Sequence, residues 1–193
     1  MGDMWSETTV STKNKYLYGT FTWSLDSPVY TFDKNSVVGL FTYADNDHEL
    51  DIEISRWQED INSQLWYTVQ PGLIKGNKYS YSIPSSTNGT NTKYRIKWKP
   101  NYVRFTAWKA DGKVIASQTY TNISRIPAVP PQYAVMNLWL LDSPSDGQNI
   151  ELIISDFTYT NTTLDIQIAR NKRNSGLAFL YSPYLLSNGT WIE

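Results

Sequence analysis

Along much of the chain every second residue is apolar. In "HELDIEISRW" (48–57), Leu50, Ile52 and Ile54 alternate with Glu49, Asp51 and Glu53. A period of two is that of a β-strand, whose successive side chains point to opposite faces. On a helix Asp51 would sit about 200° from Glu49, and the acidic row would scatter. Ile52 and Ile54 are β-branched, which also favours a strand. Similar runs predict strands at "YLYGTFTWSL" (16–25), "SVVGLFTY" (36–43), "SQLWYTVQP" (63–71), "QYAVMNLWLL" (132–141) and "NIELIISDFTYT" (149–160). "KYRIKWKP" and "YVRFTAWKADGKVI" predict a strand followed by a hairpin with "ADG" at its tip, and "PSSTNGTNT" (84–92) reads as a loop. No amphipathic helix of useful length occurs. Strands at this spacing predict an all-β sandwich or barrel.

A chain of 193 residues can bury one substantial core, so one domain is expected, over 1–162. Residues 163–193 form a tail with a strand-like start, "LDIQIAR", and an apolar stretch, "LAFLYSPYLL". A net charge of -1 with 18% charged residues gives no electrostatic case for nucleic acid. The lack of cysteine removes disulfides and thiolate chemistry. No window approaches 18 apolar residues, so no membrane-spanning helix is expected. "MGDMWSETTV" has neither a basic nor an apolar leader region, and no signal peptide is visible. The outlier is aromatic content, with 8 Trp and 14 Tyr. Large aromatics fill sandwich cores and also stack on sugar faces, so only one sharing strand parity with polar residues counts as a candidate.

The acidic row has three readings. It can be a solvated outer face, although Asp and Glu are depleted in strands and three in register repel. It can bind a hard cation, but ligands along one strand cannot wrap an ion without loops. It can do acid–base chemistry, because crowded carboxyls push their pKa values apart and one stays protonated while another is ionised. Glycoside hydrolysis needs that pair. Glu49 and Glu53 have Cα atoms about 13 Å apart on a straight strand, close enough for leaning side chains to flank one bond.

"HELDIEISRW" resembles the signature of glycoside hydrolase family 16, the laminarinases and lichenases, whose pattern is Glu-(Ile/Leu)-Asp-x-Glu on one strand. "TKNKYLYGTF", "FTY" (41–43), "WKPNYVRFTAWKADGKVI" and "MNLW" (136–139) are similar to further stretches of the family in the same order. The resemblance implies a two-sheet antiparallel β-jelly-roll sandwich of concanavalin A type with a concave cleft. It implies a retaining mechanism with Glu49 as nucleophile, Glu53 as acid/base and Asp51 between them. Substrate contacts are expected from Phe41, Tyr43, Tyr67, Asn137 and Trp139. Parity supports Asn137 with Trp139 and Phe41 with Tyr43, whereas Tyr67 shares a face with Leu65 and Val69 and is the weaker assignment. Trp57, at the parity of Glu53, is a subsite wall or core, and the lone His48 is expected to be structural.

The chain departs from the lichenase pattern in three places. Trp23 and Ser24 stand where an arginine is expected, Asp47 where a tryptophan is expected, and the chain begins almost at the "YGTF" strand, where relatives have a preceding segment. The first two changes are expected to alter sugar subsites. The third leaves a sheet edge that the tail is expected to cover. Asp156 stands at the place of a calcium ligand in some members, but no metal or cofactor is assigned. The expectation is an extracellular, monomeric endo-β-glucanase acting on β-1,3- or mixed β-1,3-1,4-glucan. The alternative is a non-catalytic glycan-binding protein on the same fold.

Overall fold

The computed structural model describes residues 7–62, 64–83 and 91–161, together with the backbone of a short strand pair, Tyr184–Leu185 and Trp191–Ile192. The strand-like start expected in the rest of the tail lies outside the described residues. Eleven strands build two antiparallel sheets: β1 (Thr8–Tyr16), β2 (Gly19–Leu25), β3 (Ser36–Asp45), β4 (His48–Ser55), β5 (Gln64–Val69), β6 (Lys78–Ser82), β7 (Thr92–Lys99), β8 (Tyr102–Trp108), β9 (Val114–Tyr120), β10 (Gln132–Leu140) and β11 (Ile154–Thr160). One sheet runs β1-β10-β3-β4-β5-β6 and the other β11-β2-β7-β8-β9. The all-β architecture expected from the pattern and the two-sheet antiparallel jelly roll implied by the resemblance are both present.

Alternation puts the core between the sheets. Leu50, Ile52 and Ile54 of β4 point inward with Leu40 of β3 and Leu65 of β5, and all are buried. Facing them are Phe21, Trp23 and Leu25 of β2, Ile96 and Trp98 of β7, and Phe105 of β8. Burial of these side chains stabilises by roughly 1.5–3 kcal/mol each against chain entropy. Polar atoms that enter the core are mostly paired. Trp98 Nε1 donates to the Pro127 carbonyl at 3.0 Å, Tyr120 Oη to Asn77 Oδ1 at 2.7 Å, and Thr42 Oγ1 to Gln132 Oε1 at 2.5 Å.

Two strands escape the hydrophobic pattern. β1 is exposed along nearly its whole length, yet it pairs with β10 as the edge of the six-stranded sheet. An edge strand gains backbone hydrogen bonds without burying a face, and Lys13 and Lys15 with a register break between Ser11 and Lys15 blunt it against further pairing. β1 therefore covers the β10 edge of this sheet. β6, "KYSYS", closes the other edge, with Tyr79 and Tyr81 packed on the core. The strand expected over 149–160 begins only at Ile154. Just before it, Ser27 Oγ accepts from the Ile153 amide, and the Ile153 carbonyl accepts from the Asp26 amide. Trp23, expected to alter a sugar subsite, is fully buried against Phe157 and Phe21 in the other sheet, so its departure from the lichenase pattern is a core change.

Candidate active site

β3 and β4 form a hairpin that presents the acidic row. Asp45 Oδ1 accepts from the amides of Asp47 (3.0 Å) and His48 (3.1 Å), and lies 2.7 Å from His48 Nδ1. That hydrogen bond from His48, more than any other contact, holds the Asp45 carboxyl below its ordinary range. His48 thus fastens the turn. Beyond it the register is regular from Tyr43↔Glu49 to Val37↔Ser55. A slip of one residue would exchange acidic and apolar faces.

Register assembles transverse rows on the outer face of the six-stranded sheet. Asn137, Gly39, Glu53 and Trp66 lie in one row. Val135, Phe41, Asp51, Thr68 and Lys78 lie in the next. Tyr133, Tyr43 and Glu49 lie in a third, where the Gln70 amide donates to the Glu49 carbonyl at 3.1 Å. Trp139 stands one row beyond Glu53, beside Val37 and Ser55. The three carboxylates therefore share a face with Phe41, Tyr43, Asn137 and Trp139, residues far apart in sequence.

The carboxyls are unequal. Asp51 is 3% exposed; its Oδ2 accepts from Gln70 Nε2 at 2.8 Å. Gln70 is oriented by its own Oε1, which accepts from the Gly72 amide at 2.6 Å. Asp51 Oδ1 is buried with no N–H donor. Burial, the adjacent Glu49 charge and a side-chain hydrogen bond to Glu49 push Asp51 well above its ordinary range. Glu49 is raised by burial, and the hydrogen bond with Asp51 opposes the rise. The hydrogen bond between them acts in opposite directions, raising Asp51 and lowering Glu49, so Asp51 is the more inclined of the two to hold a proton. Glu53 is raised by burial and by the Glu49 charge, with Lys78 opposing. One face thus holds three carboxyls that burial raises to different extents, Asp51 most strongly.

Beyond Glu53 the face ends in indoles. Trp57 packs edge-on against Trp66 (6.3 Å between centroids) and Trp139 (6.0 Å). Trp57 and Gln58 adopt φ of 50° and 68°, a left-handed pair that turns the chain sharply after β4. Ser55 Oγ accepts from the Trp57 amide at 3.0 Å, and Arg56 Nη2 donates to the Phe32 carbonyl at 2.5 Å, which holds that turn. Trp57, Trp66, Gln64 and Lys78 line a cavity of about 310 Å³. Trp57 is therefore a wall of this face. Asn137 lies directly over Gly39, where a Cβ would collide with its Oδ1.

Tyr67 is corrected. It is fully buried on the inner face, stacks on Phe105 at 5.1 Å and donates to the Ala116 carbonyl at 3.2 Å, so it cannot touch a ligand on the outer face. Its neighbour Trp66 was missed, although strand parity opposite Leu65 and Val69 marks it as outward. Asp47 sits in the exposed turn of the hairpin. Asp156 pairs with Ser24 at the β11–β2 register break, and no group of three or more acidic or histidine side chains fit for a metal occurs among the described residues.

Crowded, unequally raised carboxyls beside half-buried indoles are equipment suited to breaking bonds between sugars, the chemistry of glycan-processing β-sandwiches. The chain belongs to the family described as glycosyl hydrolases family 16, whose profile matches residues 3–177. That membership supports a glycoside hydrolase. A lichenase (β-1,3-1,4-glucanase) derived from a mouse hindgut metagenome is similar in fold, with TM-score 0.51 and 20% identity over 78% of this chain and 67% of that one. A Bacillus licheniformis β-glucanase aligns with TM-score 0.52 and 19% identity over 78% and 67%. A Bacteroides ovatus family 16 endo-glucanase aligns with TM-score 0.55 and 15% identity over 80% and 74%. No curated protein matches the sequence.

Proposed function

We propose that this chain is a retaining endo-β-glucanase that cleaves β-1,3- or mixed β-1,3-1,4-glucan outside the cell. The observation that supports it best is the placing of Asp51, buried beside Glu49 with an oxygen that no N–H donor satisfies and a carboxyl that burial and the Glu49 charge push well up. A neutral Asp51 removes one of three crowded charges and leaves Glu49 ionised and hydrogen-bonded. In the reaction Glu49 attacks the anomeric carbon while Glu53 gives its proton to the departing glycosidic oxygen. The C–O bond breaks, a glycosyl ester forms on Glu49, and the leaving chain departs as an alcohol. Glu53, now ionised, takes a proton from water, whose oxygen attacks the anomeric carbon and releases Glu49. Phe41, Tyr43, Asn137 and Trp139 would bind the glucan on the same face. The names of the aligned lichenase and endo-glucanase favour glucan over other polymers.

Purified protein incubated with laminarin, barley glucan and galactans tests the reading. Release of reducing ends from the glucans, lost about 10³-fold or more in Glu49→Gln while thermal unfolding is unchanged, is expected. Proton NMR of the first product should show the β-anomer. An α-anomer would refute retention, and a folded protein that cleaves nothing in the panel would refute the enzyme.

A further inference from the structure

The row that holds Glu53 ends near a cation that pairs with no carboxylate among the described residues. Lys78 opens β6 and belongs by register to the row of Asp51. Its ammonium nevertheless leans into the next row, 4.6 Å from the Trp66 ring centroid and 5.3 Å from that of Trp57. Trp66 is the direct cross-strand partner of Glu53. The ion pairs among the described residues are Lys34–Asp60, His48–Asp45 and Lys113–Asp111, and none includes Lys78. Indole faces attract a cation through their quadrupole but do not neutralise it, so the charge stays available to whatever stands beside the rings.

We infer that Lys78 is a positioning residue which, parked on Trp66 and Trp57, sets the pH at which Glu53 can deliver its proton. The inference rests on Glu53 being the acid of the proposed reaction. Other charged or titratable groups around Glu53 do not substitute for it. β4 itself offers Glu49 and Asp51, which are acidic, and His48, which is held by Asp45 at the hairpin turn. β3 offers the Tyr43 hydroxyl, and the outer face of β5 carries Gln64, Trp66 and Thr68, none of which titrates. On the far side β10 offers Tyr133, with Lys15 of β1 4.7 Å above its ring, in the row of Glu49 rather than Glu53. In the turn after β4, Arg56 is held by backbone carbonyls and Glu59 is acidic and exposed.

The direction of the effect follows from charge. A neighbouring ammonium favours the ionised carboxylate and so works against the burial that keeps Glu53 protonated. Proton donation requires the protonated form, and the basic limb of kcat/KM reports the acid of the free enzyme. Lys78 therefore holds that limb at lower pH than burial alone would give. Because the ammonium is exposed, salt should screen it, and the limb of the wild type should drift upward as ionic strength rises.

The test pairs Lys78→Met, which keeps an unbranched chain over the rings, with Lys78→Arg, which keeps the charge. Glutamate labelled with ¹³C at Cδ allows each carboxyl to be titrated by NMR, and Glu53→Gln identifies the resonance of Glu53. The expected result is a Glu53 midpoint and a basic limb that both move to higher pH in Lys78→Met and stay in place in Lys78→Arg. An unmoved midpoint in a folded Lys78→Met protein overturns the inference. So does a raised KM with an unmoved limb, which would make Lys78 a substrate contact. A midpoint that moves in a protein that cleaves no glucan upholds the coupling of Lys78 to Glu53 and sinks the proposed hydrolase instead.

Discussion

Trp66 and Tyr67 are adjacent in the chain and lie on opposite faces of one strand. Tyr67 is wholly buried, with its ring on Phe105 and its hydroxyl on the Ala116 carbonyl. Burial pushes its hydroxyl far above the ordinary tyrosine range, so it stays a hydrogen-bond donor at any working pH. Tyr67→Phe should cost about 1 kcal/mol, the net worth of one buried hydrogen bond, and Tyr67→Ala about 3–5 kcal/mol through the cavity it leaves. Denaturant unfolding measures both, and glucan cleavage by Tyr67→Phe should equal that of the wild type. A loss of glucan binding in Tyr67→Phe without a loss of stability would return Tyr67 to the site. The acidic residues show the same dependence on surroundings. Glu49, Asp51 and Glu53 are equivalent in pattern, yet Asp51 alone is almost completely buried and receives the Gln70 amide.

At the scale of elements, pairing of β3 with both β4 and β10 puts Gly39 between Glu53 and Asn137. The glycine is needed because the Asn137 amide lies where a Cβ would go. Gly39→Ala should push that amide aside and lower kcat/KM by about 10–100-fold, as displacements near 1 Å do elsewhere, with little change in melting temperature. An unchanged kcat/KM would show that the position of Asn137 does not matter. β4 through β5 were legible because each buries one face completely, and burial writes itself into sequence as alternation. β1 and β6 were not, because an edge strand is satisfied by backbone hydrogen bonds along one side and needs few apolar residues. The wall made by Trp57 was half legible. Its parity was right, but the left-handed backbone that turns it toward Trp66 and Trp139 has no signature in residues that are not glycine.

Across the whole molecule the site is a burden on stability. Glu49, Asp51 and Glu53 all have folded-state pKa values above their unfolded ones. Such groups cost nothing below the ordinary carboxylate range, where both states are protonated. As pH rises from there toward the folded values, the unfolded chain releases protons that the native state retains, so stability falls. Asp51→Asn removes the most strongly raised of the three. It should melt about 2–6 °C above the wild type near pH 7, with the gap closing as pH falls below 4, which calorimetry across pH would follow. A gap that widened in acid would contradict a protonated Asp51. The sequence alone determined the strand character and inner face of the central strands, the acidic row and the family that row resembles, because period and parity are local and survive without neighbours. Only the tertiary structure decided that the Lys78 ammonium leans over Trp66, the cross-strand partner of Glu53, that Trp23 and Tyr67 are core, and that burial raises Asp51 most. Those outcomes depend on which strands lie side by side and on how much water their packing excludes.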